Sequence, residues 1–572
     1  MLYKLSDNII SPLGFTTEEN YQAVKDGTAA LHRYERQWGL PEPFTASFFS
    51  GEQTAAFAKP GMTRFESLVA ESIERALENV TFDLRGADVV MIIGTTKGNV
   101  EELSADTGNY RHLGESAKRI AKHLGITTTP VVACDACVSG LSALNLAFQL
   151  LNAGFYRYAV VTGADVQNRF IISGFQSLKA VSADDCRPFD IERIGLNLGE
   201  AAATMVVASS VAMDCHPDLK DKCWGISDVA LYNDAYHLSS PSKHAEGAYL
   251  ALCDVIKNVE PTQLAFINAH GTATMYNDQM ESVAIERAGL AAVPVNGLKG
   301  IYGHTMGAAG VLETILSMVA VDDHTVLPTR GFTEIGVSGK IHVTSSISKT
   351  DKQSFVKLIS GFGGCNGALL ASKQTMTVKK TAAVGTRVTH HVKITPQSAM
   401  IDGEVIKTGG KGKKLLTDIY KRYVGDYPKF YKMDMLSRLG FVASELLIQT
   451  EGKARFQRCD DRAVMLFNRT SSIDTDRIYL DSIDSDEGFF PSPSVFVYTL
   501  PNIVTGEIAI RNGYHGETSF YVLPERDNGL MHDIVKAALQ NTTASEAITG
   551  WIDYENETSF EADLYLMENS DS

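Results

Sequence analysis

Short apolar runs alternate with amphipathic segments and glycine-rich turns along roughly the first 373 residues. Four of these runs predict buried strands, because they are short, rich in β-branched residues and bounded by turn residues. Such alternation is typical of an α/β protein in which helices cover layered sheets. The four predicted strands are Val89–Ile93, Ala159–Thr162, Ala203–Val207 and Leu264–Ile267.

One helix of this region is predicted to be central. The segment Leu141–Leu151, LSALNLAFQLL, is apolar on most of its faces, and Gly154 follows it as a candidate C-cap. A helix that is apolar nearly all round must be buried.

The pattern changes near Lys373. Residues 374–387 lose their periodicity and gain positive charge, which predicts a basic linker. Beyond it come a hairpin-like HVKITPQSAMIDGEVI, a helix over Met433–Gln449 and a strand over Ala463–Phe467. We therefore predict two folded units, residues 1–373 and 388–572, joined by the linker 374–387.

The two units resemble each other at a constant offset of 388 residues, without a gap. Two helices, Met62–Leu77 and Met433–Leu447, also match in pattern, although the insertions around them differ. We predict that the C-terminal unit repeats the first half of the N-terminal unit; the alternative is chance similarity between short α/β segments. The aligned positions are Ile120-Ala121 on Ile508-Ala509, Gly125 on Gly513, Val132 on Phe520, Ala159 on Ala547 and Asp165 on Asp553.

Composition and charge narrow the class of protein. Of 572 residues, 44% are apolar and 21% charged, which excludes a disordered or collagen-like chain. The net charge of −16 argues against nonspecific electrostatic binding to nucleic acid or to an anionic membrane. One basic strip, residues 374–432, holds twelve Lys and Arg against four Asp and Glu; it is either a solvated linker or a surface for an acidic partner.

The chain shows neither a signal-peptide pattern at its start, MLYKLSDNII, nor 18 uninterrupted apolar residues, so we predict a cytoplasmic protein without a membrane span. Its eight irregularly placed cysteines are not a disulfide framework and are expected to be thiols.

Cys137 is the candidate nucleophile. It lies in DACVSG, after the apolar run Pro130–Ala133 and immediately before the central helix. A sulfur at a helix start meets unpaired N–H groups and a positive partial charge, which favour the thiolate. The alternatives are an inert core cysteine, or a redox pair with Cys134 in the C-x-x-C spacing. A zinc ribbon would need a second such pair, and the sequence has none.

Two histidines lie in comparable strand–turn settings. His270, in NAHGTATMYND, follows a predicted strand, where α/β sheets place their sites. His304, in KGIYGHTMGAAG, is surrounded by small residues and precedes a helix that runs through Glu313. Either histidine alone would more often be a core residue, but the pair downstream of Cys137 favours catalysis.

A glycine-rich segment, Ser360–Gly367, follows the predicted strand Ser354–Ile359. It lacks the lysine of a phosphate-binding P-loop and does not open a helix as G-x-G-x-x-G would. We expect it to give a backbone N–H to an oxyanion and an aromatic wall to an acyl pocket.

With these motifs in order, residues 1–373 resemble the β-ketoacyl–acyl carrier protein synthases of the decarboxylating Cys-His-His class. The resemblance implies a thiolase-like layered αβαβα fold, here followed by an additional half-thiolase-like α/β unit. The matching motifs are ISPLG (10–14), DACVSG, GF…CRPFD (174–190), Arg193 with GEAA (199–202), AHGTAT, KGIYGHTMGAAG and GFGGCNG.

The resemblance implies a role for each motif residue. Cys137 would carry the acyl chain, while His270 and His304 would hold the malonyl thioester and assist its decarboxylation. The N–H groups of Cys137 and Phe362 would form the oxyanion hole. The remaining implied residues are Lys299 and Glu313 as a buried pair that orders the histidines, Phe362 as the gate beside the nucleophile, and Gly363 as a further supporting residue.

The resemblance also implies partners: acyl carrier protein in its acyl and malonyl forms, and a homodimer or a complex with another synthase-like chain. It implies no cofactor and no metal. In the repeat register Glu525 stands where Cys137 does and no second histidine pair exists, so we predict a non-catalytic C-terminal unit. A chain-length partner of polyketide synthases would be similar, although such partners are full length.

Some residues depart from the family pattern. Asp135 and Val138 flank the cysteine where Thr and Ala or Ser are usual, and Cys365 occupies a position where Thr or His is common. Cys365 leaves open a thiolase-like acyltransferase that uses coenzyme A esters, although HGTAT…ND and Lys299 favour the condensing class. A third alternative is a structural partner with a vestigial site.

Overall fold

The structure is a computed structural model that describes residues 1–78, 80–103, 110–216, 223–373, 384–484 and 489–570. Most of the predicted linker, residues 374–383, lies outside the described residues. The strands are, in chain order, β1 (Leu2–Ile10), β2 (His32–Tyr34), β3 (Phe44–Ser47), β4 (Val89–Gly94), β5 (Val131–Ala133), β6 (Tyr158–Asp165), β7 (Leu198–Gly199), β8 (Ala201–Ser209), β9 (Gly225–Asn233), β10 (Leu264–Asn268), β11 (Pro294–Asn296), β12 (Thr325–Val326), β13 (His342–Val343), β14 (Ser348–Lys349), β15 (Ser354–Ser360), β16 (Cys365–Ser372), β17 (Thr386–Ile394), β18 (Ala399–Ile401), β19 (Glu404–Val405), β20 (Arg462–Asn468), β21 (Thr518–Val522), β22 (Glu546–Asn556) and β23 (Ser559–Asn569).

The α-helices cover and separate these strands. They are α1 (Thr17–Lys25), α2 (Gly51–Phe57), α3 (Arg64–Leu77), α4 (Leu113–Leu124), α5 (Ser139–Ala153), α6 (Arg169–Ser177), α7 (Glu246–Ile256), α8 (Met275–Arg287), α9 (Lys299–Tyr302), α10 (Ala309–Asp322), α11 (Lys413–Ile419), α12 (Met435–Thr450), α13 (Ile473–Asp484), α14 (Pro493–Tyr498), α15 (Ile503–Asn512) and α16 (Asn528–Asn541).

The predicted elements are present. The four apolar runs form β4, β6, β8 and β10, and the C-terminal apolar run forms β20. The segment after residue 385 is the predicted hairpin, in which β18 pairs antiparallel with both β17 and β19. The central helix is α5, which ends at Gly154 in a left-handed conformation (φ 84°).

Five strands with one order and one set of directions recur three times along the chain. When the five strands of a sheet are numbered by their order in the chain, they lie side by side in the order third, second, fourth, fifth, first. The first two neighbouring pairs are parallel and the last two antiparallel. Sheet I is β5-β4-β6-β8-β1, sheet II is β11-β10-β15-β16-β9, and sheet III is β21-β20-β22-β23-β17.

Helices α5 and α10 lie side by side between sheets I and II and form the centre of the apolar core. Their close approach depends on glycine. A Cβ at Gly140 of α5 would come within 2.3 Å of the Gly307 carbonyl oxygen, and one at Gly310 of α10 within 2.5 Å of the Leu141 nitrogen. These helices and the sheets around them are the layered fold that the sequence predicted.

Sheet III continues sheet I. The edge strand β5 pairs antiparallel with β21, with Val132 opposite Val522 and Ala133 opposite Tyr521. Helix α16 packs against α5 on one side of this seam. The C-terminal residues therefore cover an edge of the N-terminal unit within the same chain.

The repeat register agrees with the elements. Helices α4 and α15 end at Gly125 and Gly513, both left-handed (φ 78° and 71°). Strands β5 and β6 correspond to β21 and β22 at the predicted offset, and α5 to α16. The half-thiolase origin of residues 388–572 stays a prediction that these correspondences support.

Within the described part of the chain, one segment is long and apolar enough to cross a membrane by length and composition. It is Ala136–Ala153, which contains α5, and 89% of its residues are buried inside the protein. It is the core helix described above.

Candidate active site

Cys137 lies where β5 leads into α5. The residue before it, Ala136, has a left-handed backbone (φ 50°), and residues Ala136–Val138 form a short 3₁₀ turn. This turn is held from outside, because the Thr96 hydroxyl donates to the Ala136 carbonyl oxygen at 3.0 Å. Left-handed backbone is uncommon for a residue with a side chain and is often found at functional sites.

Cys137 is buried, with only 7% of the residue exposed. Burial raises its pKa to about 12, although the nearby Lys299 ammonium favours the thiolate. The sequence predicted that the helix start favours the thiolate; in the structure, burial acts in the opposite direction and favours the neutral thiol.

The glycine-rich segment lies beside Cys137, as predicted. A Cβ at Gly361 would come 3.3 Å from the Cys137 nitrogen and 3.0 Å from the Val138 side chain. The next residue, Phe362, stacks on Phe175 with ring centroids 6.1 Å apart. Gly363 has a left-handed backbone (φ 89°) and donates its N–H to the Leu238 carbonyl oxygen at 2.6 Å.

His304 is held by its backbone and has one free ring nitrogen. Its N–H donates to the Asn197 carbonyl oxygen at 2.7 Å, and its carbonyl oxygen accepts from the Gly199 N–H at 3.0 Å. The Met306 N–H donates to the His304 Nδ1 at 3.3 Å, so the ring proton is on Nε2. This Nε2 is buried and has no hydrogen-bond partner among the described residues. His304 is therefore a hydrogen-bond donor without an acceptor.

His270 follows β10, and its ring meets the His304 ring edge-on with centroids 5.0 Å apart. The peptide N–H groups of His270 and Gly271 donate to the two carboxylate oxygens of Glu281, at 2.5 and 2.8 Å. The His270 Nδ1 is buried without a partner in the described part of the chain. The position of this imidazole is thus fixed mainly through its backbone.

Both imidazoles are neutral at ordinary pH. Burial lowers the pKa of His270 and of His304 well below the usual value, and the positive charges of Lys299 and Lys357 lower both further. A neutral imidazole can donate a hydrogen bond without bringing a full charge into the cavity.

The predicted ion pair is formed. The Lys299 ammonium lies 2.7 Å from the Glu313 carboxylate, and both side chains are buried. The sequence analysis missed two further residues here, Lys357, which pairs with the same carboxylate, and Glu281. A lysine inside the apolar strand SFVKLIS was a signal for Lys357; the glutamate three residues after ND was one for Glu281.

One cavity of about 450 Å³ unites these groups. It is lined by Cys137, His270, His304, Gly361 and Phe362, together with residues of its rim. Lys299, Glu313 and Lys357 are buried behind the histidines and do not line it. The rim residues include Lys179, Ile194, His237, Met275 and Tyr276.

Cys134 and Cys365, the alternative reactive cysteines, lie outside the cavity. Cys134 is buried in the apolar core, and the Cys365 thiol points to the Thr518 carbonyl oxygen at 3.7 Å. Both are free thiols, and neither lines the cavity. A second cysteine in the site, which the thiolase alternative requires, is therefore not provided by Cys365.

The C-terminal residues contact the walls of this site around Phe175 and Phe362. Phe496 of α14 packs against Gly174 and meets Phe175 edge-on at 5.4 Å, while Tyr479 of α13 packs against Phe496 at 5.4 Å. The Asn502 side-chain amide donates to the Phe362 carbonyl oxygen at 2.8 Å. The walls around Phe175 and Phe362 thus come from both ends of the chain.

Glu525, the repeat counterpart of Cys137, precedes α16 and is exposed. Around it the structure shows no histidine pair among the described residues that would correspond to His270 and His304.

Comparison with known proteins identifies two domain models along the chain. The β-ketoacyl synthase N-terminal domain matches residues 9–211, and the β-ketoacyl synthase C-terminal domain matches residues 225–333. Together they cover more than half of the chain and contain Cys137, His270 and His304.

Curated relatives agree with these matches. The chain is 27% identical over 417 residues to the 3-oxoacyl-[acyl-carrier-protein] synthase 2 of Vibrio harveyi, covering 64% of this chain and 96% of that protein. It is 27% identical over 265 residues to nodulation protein E of Rhizobium leguminosarum bv. trifolii, covering 45% of this chain and 65% of that protein.

Solved structures are similar in fold. The PfaC keto synthase–chain length factor matches all of this chain and 78% of its own, with a TM-score of 0.78 at 14% identity. The ishigamide ketosynthase/chain length factor matches 65% of this chain and 99% of its own, with a TM-score of 0.58 at 24% identity.

Proposed function

Since the chain belongs to the β-ketoacyl synthase family and is an enzyme of the acyltransferase type, we propose that it performs a decarboxylative condensation on carrier-bound substrates. Cys137 takes an acyl group from a carrier thioester, which releases the carrier thiol. Malonyl carrier protein then loses CO₂, and the resulting enolate attacks the acyl carbonyl carbon. The Cys137 thiolate leaves, and a 3-oxoacyl carrier protein is the product.

The observation that carries this proposal is the unpartnered Nε2–H donor of His304 in the cavity that also holds Cys137 and His270. An enolate oxygen that develops there would accept this hydrogen bond, and a donor placed in advance stabilises the transition state. For acyl transfer, the N–H groups of Cys137 and Phe362 would receive the oxyanion. Incubating the protein with acyl and malonyl carrier proteins and weighing the species formed tests the whole sequence.

The histidines should act mainly on the malonyl half-reaction. We expect His304→Ala and His270→Ala to lose CO₂ release from malonyl carrier protein by about 10²–10³-fold, as when an oxyanion donor is removed. Both variants should still acylate Cys137, because that step needs chiefly the thiol and the oxyanion hole. His123→Ala, which removes a partly exposed histidine of α4 that pairs with Glu74 outside the cavity, is the matched control. Normal CO₂ release by both site variants would refute the assignment.

We propose acyl carrier protein as the donor. Basic residues that would receive an acidic carrier lie in two places, Lys118 and Arg119 before β5 and the strip Lys411–Lys414. The lysines among them are exposed, while the Arg119 side chain donates to the Gly61 carbonyl oxygen at 2.6 Å. Lys179 joins them, since it is exposed at the rim of the cavity.

Turnover with carrier-bound substrate should fall as salt is added, because exposed charges are screened over about 10 Å at 0.1 M. Small thioester mimics should be less affected. Lys179→Glu and Lys118→Glu, made separately, would show which of these surfaces is used. Equal salt sensitivity for the two kinds of substrate would argue against electrostatic docking.

The C-terminal unit, in this proposal, is a non-catalytic companion that closes the acyl side of the site through Phe496 and Tyr479. The fold similarity of the whole chain to a keto synthase–chain length factor supports this reading. The homodimer or hetero-complex remains a prediction. The β5 edge is not free to pair with a second subunit, because β21 already pairs with it.

A further inference from the structure

A second buried ammonium stands beside the ion pair that the sequence predicted. Lys357 lies in β15 opposite Asn268 of β10, and its side chain is fully buried. Burying a lysine costs free energy unless its charge and its three N–H donors are satisfied. A lysine here must therefore be compensated by specific partners.

Two of the three partners of Lys357 immediately precede His270, and the third lies on α10. Its Nζ donates to the Asn268 side-chain oxygen at 2.8 Å, to the Ala269 carbonyl oxygen at 3.3 Å and to the Glu313 carboxylate. Asn268 and Ala269 immediately precede His270. Lys357 thus ties the end of β10 to α10.

The backbone around His270 is held from two sides, by Lys357 and by Glu281. Glu281 of α8 accepts the peptide N–H groups of His270 and Gly271, while Lys357 binds the two residues before them. Since the His270 Nδ1 has no partner in the described structure, these backbone contacts fix where the imidazole lies.

We propose that Lys357 is a positioning residue for His270, and that its positive charge adds to burial in opposing protonation of the two site histidines. This inference rests on the proposed condensation. The groups facing the imidazoles are one another, the Cys137 thiol, the ammonium groups of Lys299 and Lys357, and the carboxyl groups of Glu281, Asp278 and Glu313.

The direction of the electrostatic effect follows from these neighbours. Lys299 and Lys357 both lower the pKa of His270 and of His304. Removing one positive charge must therefore raise both pKa values. The neutral imidazole is the active form, so activity would be lost at a higher pH as the solution is acidified. Burial also lowers the pKa of Lys357 to about 8, so its own charge diminishes on the alkaline side.

Lys357→Met tests the proposal by removing the charge while keeping the length of the side chain. We expect CO₂ release from malonyl carrier protein to fall by at least about tenfold through misplacement of His270. The acidic limb of its pH profile should move up by about one unit, as expected for the loss of a nearby charge. Acylation of Cys137, followed by intact mass, should be nearly unchanged.

Lys352→Met is the matched control. Lys352 also donates to a β10 carbonyl oxygen, that of Leu264 at 2.9 Å, but at the start of the strand away from the site. The Lys352→Met variant should leave the rate of CO₂ release and its pH profile unchanged. If Lys357→Met proves insoluble, Lys357→Gln removes the charge and keeps a donor, and Lys357→Arg should restore the position of the acidic limb.

A substrate-free measurement separates this inference from the proposed function. Titration of selectively ¹³C-labelled histidine by NMR, assigned with His270→Asn and His304→Asn, should show both imidazoles protonating at higher pH in Lys357→Met than in the unaltered protein. Unchanged histidine titration, or losses in acylation and CO₂ release that are equal, would overturn the role of Lys357. Failure of the unaltered protein to release CO₂ would instead overturn the proposed function.

Discussion

Cys137→Ala is expected to abolish formation of the acyl-enzyme, with a loss of at least about a thousandfold, as when a nucleophile is removed. The cavity places this thiol alone of the described cysteines beside His270 and His304. Intact-mass analysis after addition of an acyl carrier protein should show the mass gain of one acyl group for the unaltered protein and none for the variant.

The controls for this experiment are two other buried thiols. Cys134→Ala and Cys365→Ala remove cysteines that lie in the core and beside Thr518, and both variants should still be acylated. An unchanged melting temperature of Cys137→Ala would show that the fold is intact. Acyl groups found on Cys134 or Cys365 in the Cys137→Ala variant would refute the assignment.

The sequence predicted the elements that position this site, because the signals are local. The apolar run of β10 and the small residues around His304 act on the backbone next to them, as do the cap at Gly154 and the turn before Cys137. The order of motifs then identified the family, and the domain matches bear that out.

The properties of the site that could not be predicted depend on contacts between residues that are distant in the chain. The protonation state of Cys137 follows from its burial, which brings together residues from both halves of the N-terminal unit. Lys357 meets Glu313 only because β15 and α10 pack together. A lone lysine in an apolar strand indicates a buried charge, but it does not name the partner.

The repeat in the sequence likewise predicted a second copy of the strand pattern without showing how the copies meet. Half of a two-halved fold leaves a sheet edge that either this chain or another subunit must cover, and in the structure β21 pairs with β5. The contacts across this seam involve single residues hundreds of positions apart, such as Asp135, whose carboxylate accepts the Phe520 N–H at 2.9 Å. No local pattern encodes such a pair.

A buried ion pair elsewhere between the C-terminal residues and the N-terminal unit should contribute most to the stability of their interface. The Lys97 ammonium lies 2.6 Å from the Asp476 carboxylate of α13, and each side chain is about 3% exposed. Lys97 also donates to the Thr499 carbonyl oxygen at 2.6 Å. The backbone around Lys97 is held by Asp165, which accepts the N–H groups of Thr96 and Lys97. The ion pair therefore joins the C-terminal residues to the loop whose Thr96 hydroxyl supports Ala136.

Lys97→Met should lower the free energy of unfolding by about 3–5 kcal/mol, because it leaves the Asp476 carboxylate buried without its cation. Replacing both partners, Lys97→Met with Asp476→Leu, should recover much of that loss, since an apolar pair of similar volume avoids the desolvation of two charges. Lys257→Met, which removes a half-exposed lysine paired with Asp254, is the matched control and should change the free energy of unfolding by less than about 1 kcal/mol. Urea unfolding followed by fluorescence, with acylation of Cys137 as a second readout, measures both effects. If the Lys97→Met variant unfolds at the same urea midpoint as the unaltered protein, the interface between the two units does not depend on this ion pair.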